Sequence, residues 1–346
     1  MLLDFRTGKI FVQVLIVLMI VFTMVGQPAG VSAAGSNPKY EYFVTGNPEN
    51  VVTPTSGGLL LMGGSTDVDA GFQWMIDKSG GGDFVVIRAT GTDAYDPWIY
   101  GELGRVVDSA ATIIIKNRAA ASDPFVLDKI LNAEALFIAG GDQADYVEYW
   151  KDTPVEDAIQ TLSARGVPIG GTSAGLAVLG QFVFSAVNGT VTSDVALSNP
   201  YNKKVALDRD FLTLPHMTGI VTDSHFAARD RMGRLITFLA RIIKDDWASQ
   251  ALGVGIDEQT ALTMEPNGIA SVVGFGSVYF LRTPPGDPQV CEPKTDLTYQ
   301  NISVYRISGS NATFDFNTWT GTGGTAYTLN VNSGMVTSTQ PGGSIY

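Results

Sequence analysis

Val167-Pro-Ile-Gly-Gly-Thr-Ser-Ala-Gly-Leu-Ala177 sets a short apolar run against a helix-compatible one, with Ser173 at the seam. Gly171 and Gly175 flank the serine at i−2 and i+2, the Gly-x-Ser-x-Gly pattern of a nucleophile elbow. Such a turn needs small neighbours, because the serine backbone is strained and must jut from the end of a sheet. Ala174 offers a backbone N–H at a helix start, where developing negative charge is stabilised. The plainer alternative is a strand-to-helix crossover in which the serine only caps the helix.

Outward from this turn, short apolar runs alternate with amphipathic ones from about residue 57 to 282. Gly58-Leu-Leu-Leu-Met-Gly-Gly, Phe84-Val-Val-Ile-Arg, Ala111-Thr-Ile-Ile-Ile and Ala135-Leu-Phe-Ile-Ala read as buried strands. Helical spacing fills the intervals 69–78, 124–131 and 155–164. Continuous apolar strands separated by helices predict an α/β fold with a mostly parallel sheet covered on both faces. Ligands of such sheets bind outside the carboxyl ends of the strands, where the glycine turns fall.

The ends of the chain differ from this middle. Arg6 and Lys9 precede an apolar run of about 16 residues from Ile10 to Val25, and Val31-Ser-Ala-Ala-Gly supplies small residues. Residues 1–34 therefore read as a signal peptide cleaved after Ala33 or Ala34, and the mature protein as secreted or periplasmic. An uncleaved anchor is the rival, but a span needs ~20 apolar residues. Residues 35–56 read as a polar lead. Residues 283–346 are rich in Thr, Asn, Ser and Gly, with period-2 stretches such as Ile302-Ser-Val-Tyr-Arg-Ile. They read as a β-rich extension that could act as a cap, a homodimer contact or a surface-binding module.

Of the 346 residues, 45% are hydrophobic and only 16% charged, which favours a large globular core. The net charge of −12 and the lack of a basic patch argue against nucleic acid as a partner. Cys291 is the only cysteine, so no internal disulfide forms, and its polar, Pro-rich setting offers no base to activate a thiol. No His/Cys/carboxylate cluster has ligand spacing, so neither a metal nor an organic cofactor is expected. Asn188, Asn301 and Asn311 begin Asn-x-Ser/Thr triplets, which matter only in a host that glycosylates its exports.

A serine hydroxyl is a poor nucleophile unless a base takes its proton, and the chain has only two histidines. His225 ends the strand-like Gly219-Ile-Val-Thr-Asp-Ser-His, beside a helix read over residues 226–243; His216 lies in a loop. For the group that orients the imidazole, Glu258 in Gly253-Val-Gly-Ile-Asp-Glu-Gln-Thr ranks first, then Asp223, then Asp194. Gly140 and Gly141, with Asp142 and Gln143 behind them, form a second glycine turn able to complete an oxyanion hole opposite Ala174. Arg229, Arg231 and Arg234 could hold a substrate carboxylate. On a continuous helix Arg229 and Arg234 would stand about 140° apart, so all three could not share a face.

Gly140-Gly-Asp-Gln, Gly170-Gly-Thr-Ser-Ala-Gly, Asp223-Ser-His-Phe-x-x-Arg-Asp-Arg-x-Gly-Arg-Leu and Gly255-Ile-Asp-Glu-x-Thr-Ala occur in that order. Together they resemble the cyanophycinase and aspartyl-dipeptidase family of serine peptidases, peptidase family S51, over roughly residues 57–282. The resemblance implies a flavodoxin-like domain related to class I glutamine amidotransferases, with serine in place of the usual cysteine. It implies that Ser173 is the nucleophile, His225 the base, Gly141-Asp142-Gln143 close to substrate, and the arginines part of substrate recognition. In the dipeptidase branch a carboxylate stands about fifteen residues after the serine. Asn188 occupies that place here, so this chain uses another acid or works as a dyad. The implied substrate is an Asp-containing peptide, with cyanophycin-derived material as one form of it. An α/β-hydrolase esterase shares the serine turn, but the His-Gly-Gly-Gly loop is lacking. A catalytically inactive binding protein on the same fold would leave Ser173 unreactive.

Overall fold

The computed structural model describes residues 39–346; the expected signal segment lies outside them. The strands are β1 (Tyr40–Gly46), β2 (Leu59–Met62), β3 (Asp83–Arg88), β4 (Ser109–Ile115), β5 (Ala135–Ile138) and β6 (Ile169–Thr172). They continue with β7 (Phe182–Phe184), β8 (Leu207–Arg209), β9 (Ile220–Asp223), β10 (Leu252–Ile256), β11 (Thr260–Met264) and β12 (Ile269–Gly274). The last six are β13 (Ser277–Arg282), β14 (Tyr299–Ser308), β15 (Thr313–Asp315), β16 (Thr320–Thr322), β17 (Thr325–Asn332) and β18 (Met335–Ser338). The helices are α1 (Asp69–Lys78), α2 (Tyr95–Gly101), α3 (Pro124–Leu131), α4 (Gln143–Trp150), α5 (Pro154–Ala164), α6 (Ala174–Ala177), α7 (Ser193–Ser198) and α8 (Met232–Lys244).

The expected α/β fold is present, but the strands divide between two sheets. One has ten strands in the order β1-β4-β3-β5-β6-β2-β11-β12-β15-β16, and the other eight, β18-β17-β14-β13-β10-β9-β7-β8. Strands β4, β3, β5, β6 and β2 form the parallel core of the first sheet. Their order is the flavodoxin-like 2-1-3-4-5 with one change: β2, the earliest of the five in the chain, takes the fifth place. In the second sheet only β10, β9 and β7 run parallel.

Apolar side chains at every position explain the two-faced burial of the first sheet. Leu60, Met62, Phe84, Val86 and Phe137 pack with Phe72, Met75 and Ile76 of α1. Their neighbours Leu59, Leu61, Val85, Ile87 and Ile138 face the opposite way, onto Val126 and Ile130 of α3 and Ile159 and Leu162 of α5. This alternation is the period of a strand whose two faces are both buried. Helix α3 starts where Asp123 accepts the Phe125 N–H and Pro124 presets the first turn. In the second sheet, Phe184, Val221 and Leu281 lie under Phe238 and Leu239 of α8, while Val254, Ile256 and Phe280 join the core of the first sheet.

Two expectations are corrected here. The polar lead contains β1, which runs antiparallel along β4 and closes that edge. Its Tyr40-Glu-Tyr-Phe-Val-Thr run alternates too weakly to stand out beside the Pro- and Gly-containing residues around it. The helix read over 226–243 begins only at Met232, because the backbone first makes a turn with Asp230 at φ +46°. The residues from 283 onward add strands to both sheets: β14 pairs with β13, and β15 with β12.

Candidate active site

Ser173 follows the carboxyl end of β6 with φ +53° and ψ −112°, the left-handed region that costs a non-glycine residue about 1–3 kcal/mol. The turn is held by the Ser173 N–H bond to Met62 O at 3.1 Å. Both flanking glycines are dictated by space. A Cβ on Gly175 would sit 2.0 Å from Ile138 O, and one on Gly171 2.6 Å from Gly175 O. The serine makes no side-chain cap of α6, so its hydroxyl is left for another partner.

That partner is His225. Ser173 Oγ lies 2.8 Å from His225 Nε2, and His225 Nδ1 lies 2.6 Å from Glu258 Oε1. A carboxylate can only accept, so Nδ1 carries the ring proton and Nε2 is free to receive the serine's. The histidine is buried, with φ +46°, and its N–H donates to Gly63 O at 2.7 Å. The first sheet thus supplies the serine, the second the histidine, and the β10–β11 turn between the sheets carries the glutamate. Serine and histidine therefore meet across two sheets. Burial lowers the imidazole pKa; the Glu258 bond opposes this, and Arg229 and Arg231 reinforce it.

Gly64 is a site residue that the sequence does not mark. It has φ +93°, and a Cβ there would stand 2.6 Å from His225 Nε2 and 3.0 Å from Ser173 Cβ. The Met-Gly-Gly ending of β2 was the available signal, but it reads equally as an ordinary turn.

Ser173 and His225 open on a cavity of about 350 Å³, whose wall includes Gly141, Asp142, Gln143, Ala174, Asp223 and all three arginines. The backbone N–H groups of Gly141 and Ala174 donate to no acceptor among the described residues. Asp142 also caps α4 by accepting the Ala144 N–H, and Gln143 Nε2 donates to Phe184 O at 3.3 Å.

Asp223 does not reach the imidazole. It forms a buried fork with Arg234, Nε to Oδ2 at 2.7 Å and Nη2 to Oδ1 at 2.5 Å. Arg231 Nη1 donates to Ser224 O at 2.9 Å and lies 3.4 Å from Asp223; burial pulls its pKa down to about 10 despite that carboxylate. Arg229 is half-exposed, with Nε 3.8 Å from Glu258 Oε1. The exclusion of a shared face fails because Arg229 and Arg231 precede the helix. Asp194 is occupied by Thr192 Oγ1, Asn188 Nδ2 donates to Lys203 O, and His216 Nε2 bonds with Pro266 O. Of the three carboxylates considered, only Glu258 meets the imidazole. No group of three or more His, Cys, Asp or Glu among the described residues is arranged to hold a metal ion.

Fold and constellation together define the class: an α/β protein whose serine, histidine and carboxylate are arrayed as in serine-type hydrolases. Comparison adds a resemblance. The model of peptidase family S51 matches residues 103–272, and over that stretch the chain is similar to these serine-type peptidases. It is 29% identical over 215 residues to a cyanophycinase of Trichormus variabilis, an alignment covering 61% of this chain and 66% of that one. A cyanophycinase of Synechococcus elongatus is 28% identical over 287 residues, covering 76% and 79%. The fold matches the crystal structure of a peptidase from an acI-B1 Actinobacterium with a TM-score of 0.50 and 17% identity, over 68% of this chain and 96% of that one.

Proposed function

We propose that this chain is an exported serine exopeptidase that hydrolyses Asp-containing peptides, with the β-Asp-Arg material of cyanophycin among its substrates. The carrying observation is the unbroken Ser173–His225–Glu258 hydrogen-bond chain facing an arginine-walled cavity. Ser173 Oγ attacks the scissile carbonyl carbon as His225 Nε2 takes its proton. Glu258 holds the imidazole in the required tautomer and stabilises its charged form. The N–H groups of Ala174 and Gly141 receive the oxyanion. Collapse breaks the C–N bond, with His225 returning the proton to the leaving amine. Water, activated by the same imidazole, then releases the acyl group and restores the serine.

Three arginines line the cavity, unequally engaged by the carboxylates beside them. Asp223 neutralises Arg234, which leaves Arg229 and Arg231 to meet a substrate carboxylate. The similarity to cyanophycinases supports β-Asp-Arg material as the first substrate to test. A fluorophosphonate should label Ser173 in the wild type, and neither Ser173→Ala nor His225→Ala. Release of dipeptides from cyanophycin, compared with a panel of isoaspartyl peptides by mass spectrometry, fixes the substrate. An unlabelled wild type, folded and pure, would overturn the reading. Export is tested by the N-terminus of the mature protein, expected at Ala34 or Gly35.

A further inference from the structure

The turn from Phe226 to Arg231 joins the proposed base to the proposed carboxylate-binding arginines; its backbone closes through Arg229 N–H to His225 O and Arg231 N–H to Phe226 O, but no side chain of its own caps the helix that follows. Asp230 sits in the left-handed region, and Arg231 leaves the N-terminus of α8 without a side-chain cap. That cap comes from 114 residues further along the chain. The Met232 N–H donates to the Tyr346 hydroxyl at 3.0 Å, and that hydroxyl donates to Asp230 Oδ1 at 2.7 Å. One phenol therefore caps the helix and clamps the carboxylate of the strained residue. Its ring packs edge-on against Phe226 and Tyr279, at centroid distances of 5.9 and 5.8 Å. Phe226 is the residue after His225, so the ring contact and the hydroxyl grip opposite ends of one turn. Burial raises the phenol pKa, so the hydroxyl keeps the proton it donates.

We infer that Tyr346 is a positioning residue for the proposed site: by pinning Asp230 and the first N–H of α8, it holds the Arg229/Arg231 turn in its substrate-ready shape. The residue touches neither the serine nor the imidazole. Its effect runs through the arginines, and this role rests on the peptidase reading of the cavity. It also gives the β-rich extension a specific task in the site, since Tyr346 is delivered by that segment. Tyr327 Oη donates to Ile345 O at 3.0 Å and anchors the delivery to β17.

Tyr346→Phe removes both hydroxyl bonds and keeps the ring, so the full chain should still fold. Hydrogen exchange of the peptide spanning residues 226–232 should speed up about tenfold, the loss expected for hydrogen bonds of this kind, while exchange in β2–β6 stays as it was. With cyanophycin as substrate, KM should rise about tenfold and kcat change far less, the split expected when binding groups lose their position. Asp230→Asn, which keeps an acceptor for the phenol but loses the charge, should fall between the two. Unaltered exchange at 226–232 in Tyr346→Phe would overturn the inference, as would kcat and KM that match wild type. If wild type cleaves nothing, the peptidase reading fails by itself, and the exchange result still decides whether Tyr346 holds the turn.

Discussion

His225 can accept the serine proton only while its imidazole is neutral, so the sign of its pKa shift sets the acid limb of activity. Burial favours the neutral form, and the positive charges of Arg229 and Arg231 favour it further, against the pull of Glu258. The acid limb of kcat/KM should therefore lie below the ~6.5 of an unperturbed histidine. Arg229→Gln removes a charge that lowers the pKa and should move the limb up. Glu258→Gln removes the group that raises it and should move the limb down, with kcat reduced by roughly 10²–10⁴ because the tautomer is no longer enforced. Rate profiles between pH 4 and 9 check both directions. Opposite shifts would mean that the charges act on some other group. Gly64→Ala, by contrast, forces a methyl against the imidazole and a side chain into φ +93°. It should lower kcat about a hundredfold, at a cost of about 1–3 kcal/mol in stability, read from denaturant unfolding.

Strand β9 and helix α8 are locked together by the Asp223–Arg234 fork, whose side chains are each only a few per cent exposed. Arg234 also donates to Thr190 Oγ1 and Val191 O, so the same guanidinium ties down the loop that closes one side of the cavity. Asp223→Asn would leave a buried charge without its counter-ion and should cost about 3–5 kcal/mol. The double change Asp223→Leu with Arg234→Met should cost less than that single one, because no charge is then stranded. Urea unfolding of the three chains decides it. A single mutant within ~1 kcal/mol of wild type would show that the fork carries no structural weight. These two elements also show how far periodicity reads. The buried face of α8 was legible from Leu235, Ile236, Leu239 and Ile243. Its start was not, because nothing local marks the left-handed backbone at Asp230 that delays the helix.

The two sheets share one core, and the residues after Arg282 are built into both. Strand β14 covers β13 along its whole length, and the Phe280 and Phe314 rings stack at 3.6 Å between the sheets' strands. A chain ending at Arg282 would expose the edges of β12 and β13 and the apolar residues beneath them. It should be insoluble or collapse to a state without fixed tertiary packing, seen as lost near-ultraviolet circular dichroism. A truncated chain that folds and unfolds cooperatively would show instead that the extension is separable. The compositional change near residue 283 is real, but composition does not tell whether polar-faced strands make a new sheet or extend an old one.

The sequence by itself determined the local parts: which runs are buried strands, the glycines required around Ser173, the order of serine, histidine and acid along the chain, and the family they resemble. Those are properties of spacing and side-chain size, which the chain carries wherever it folds. Tertiary structure alone decided which acid faces the imidazole, since Asp223 ends one apolar strand and Glu258 follows another, and only the pairing of β10 with β9 and the turn into β11 separates them. It also decided that serine and histidine come from different sheets, and that Gly64 and Tyr346 stand beside residues far from them in sequence. Long-range contact is set by how whole sheets pack, and no local pattern of residues encodes it.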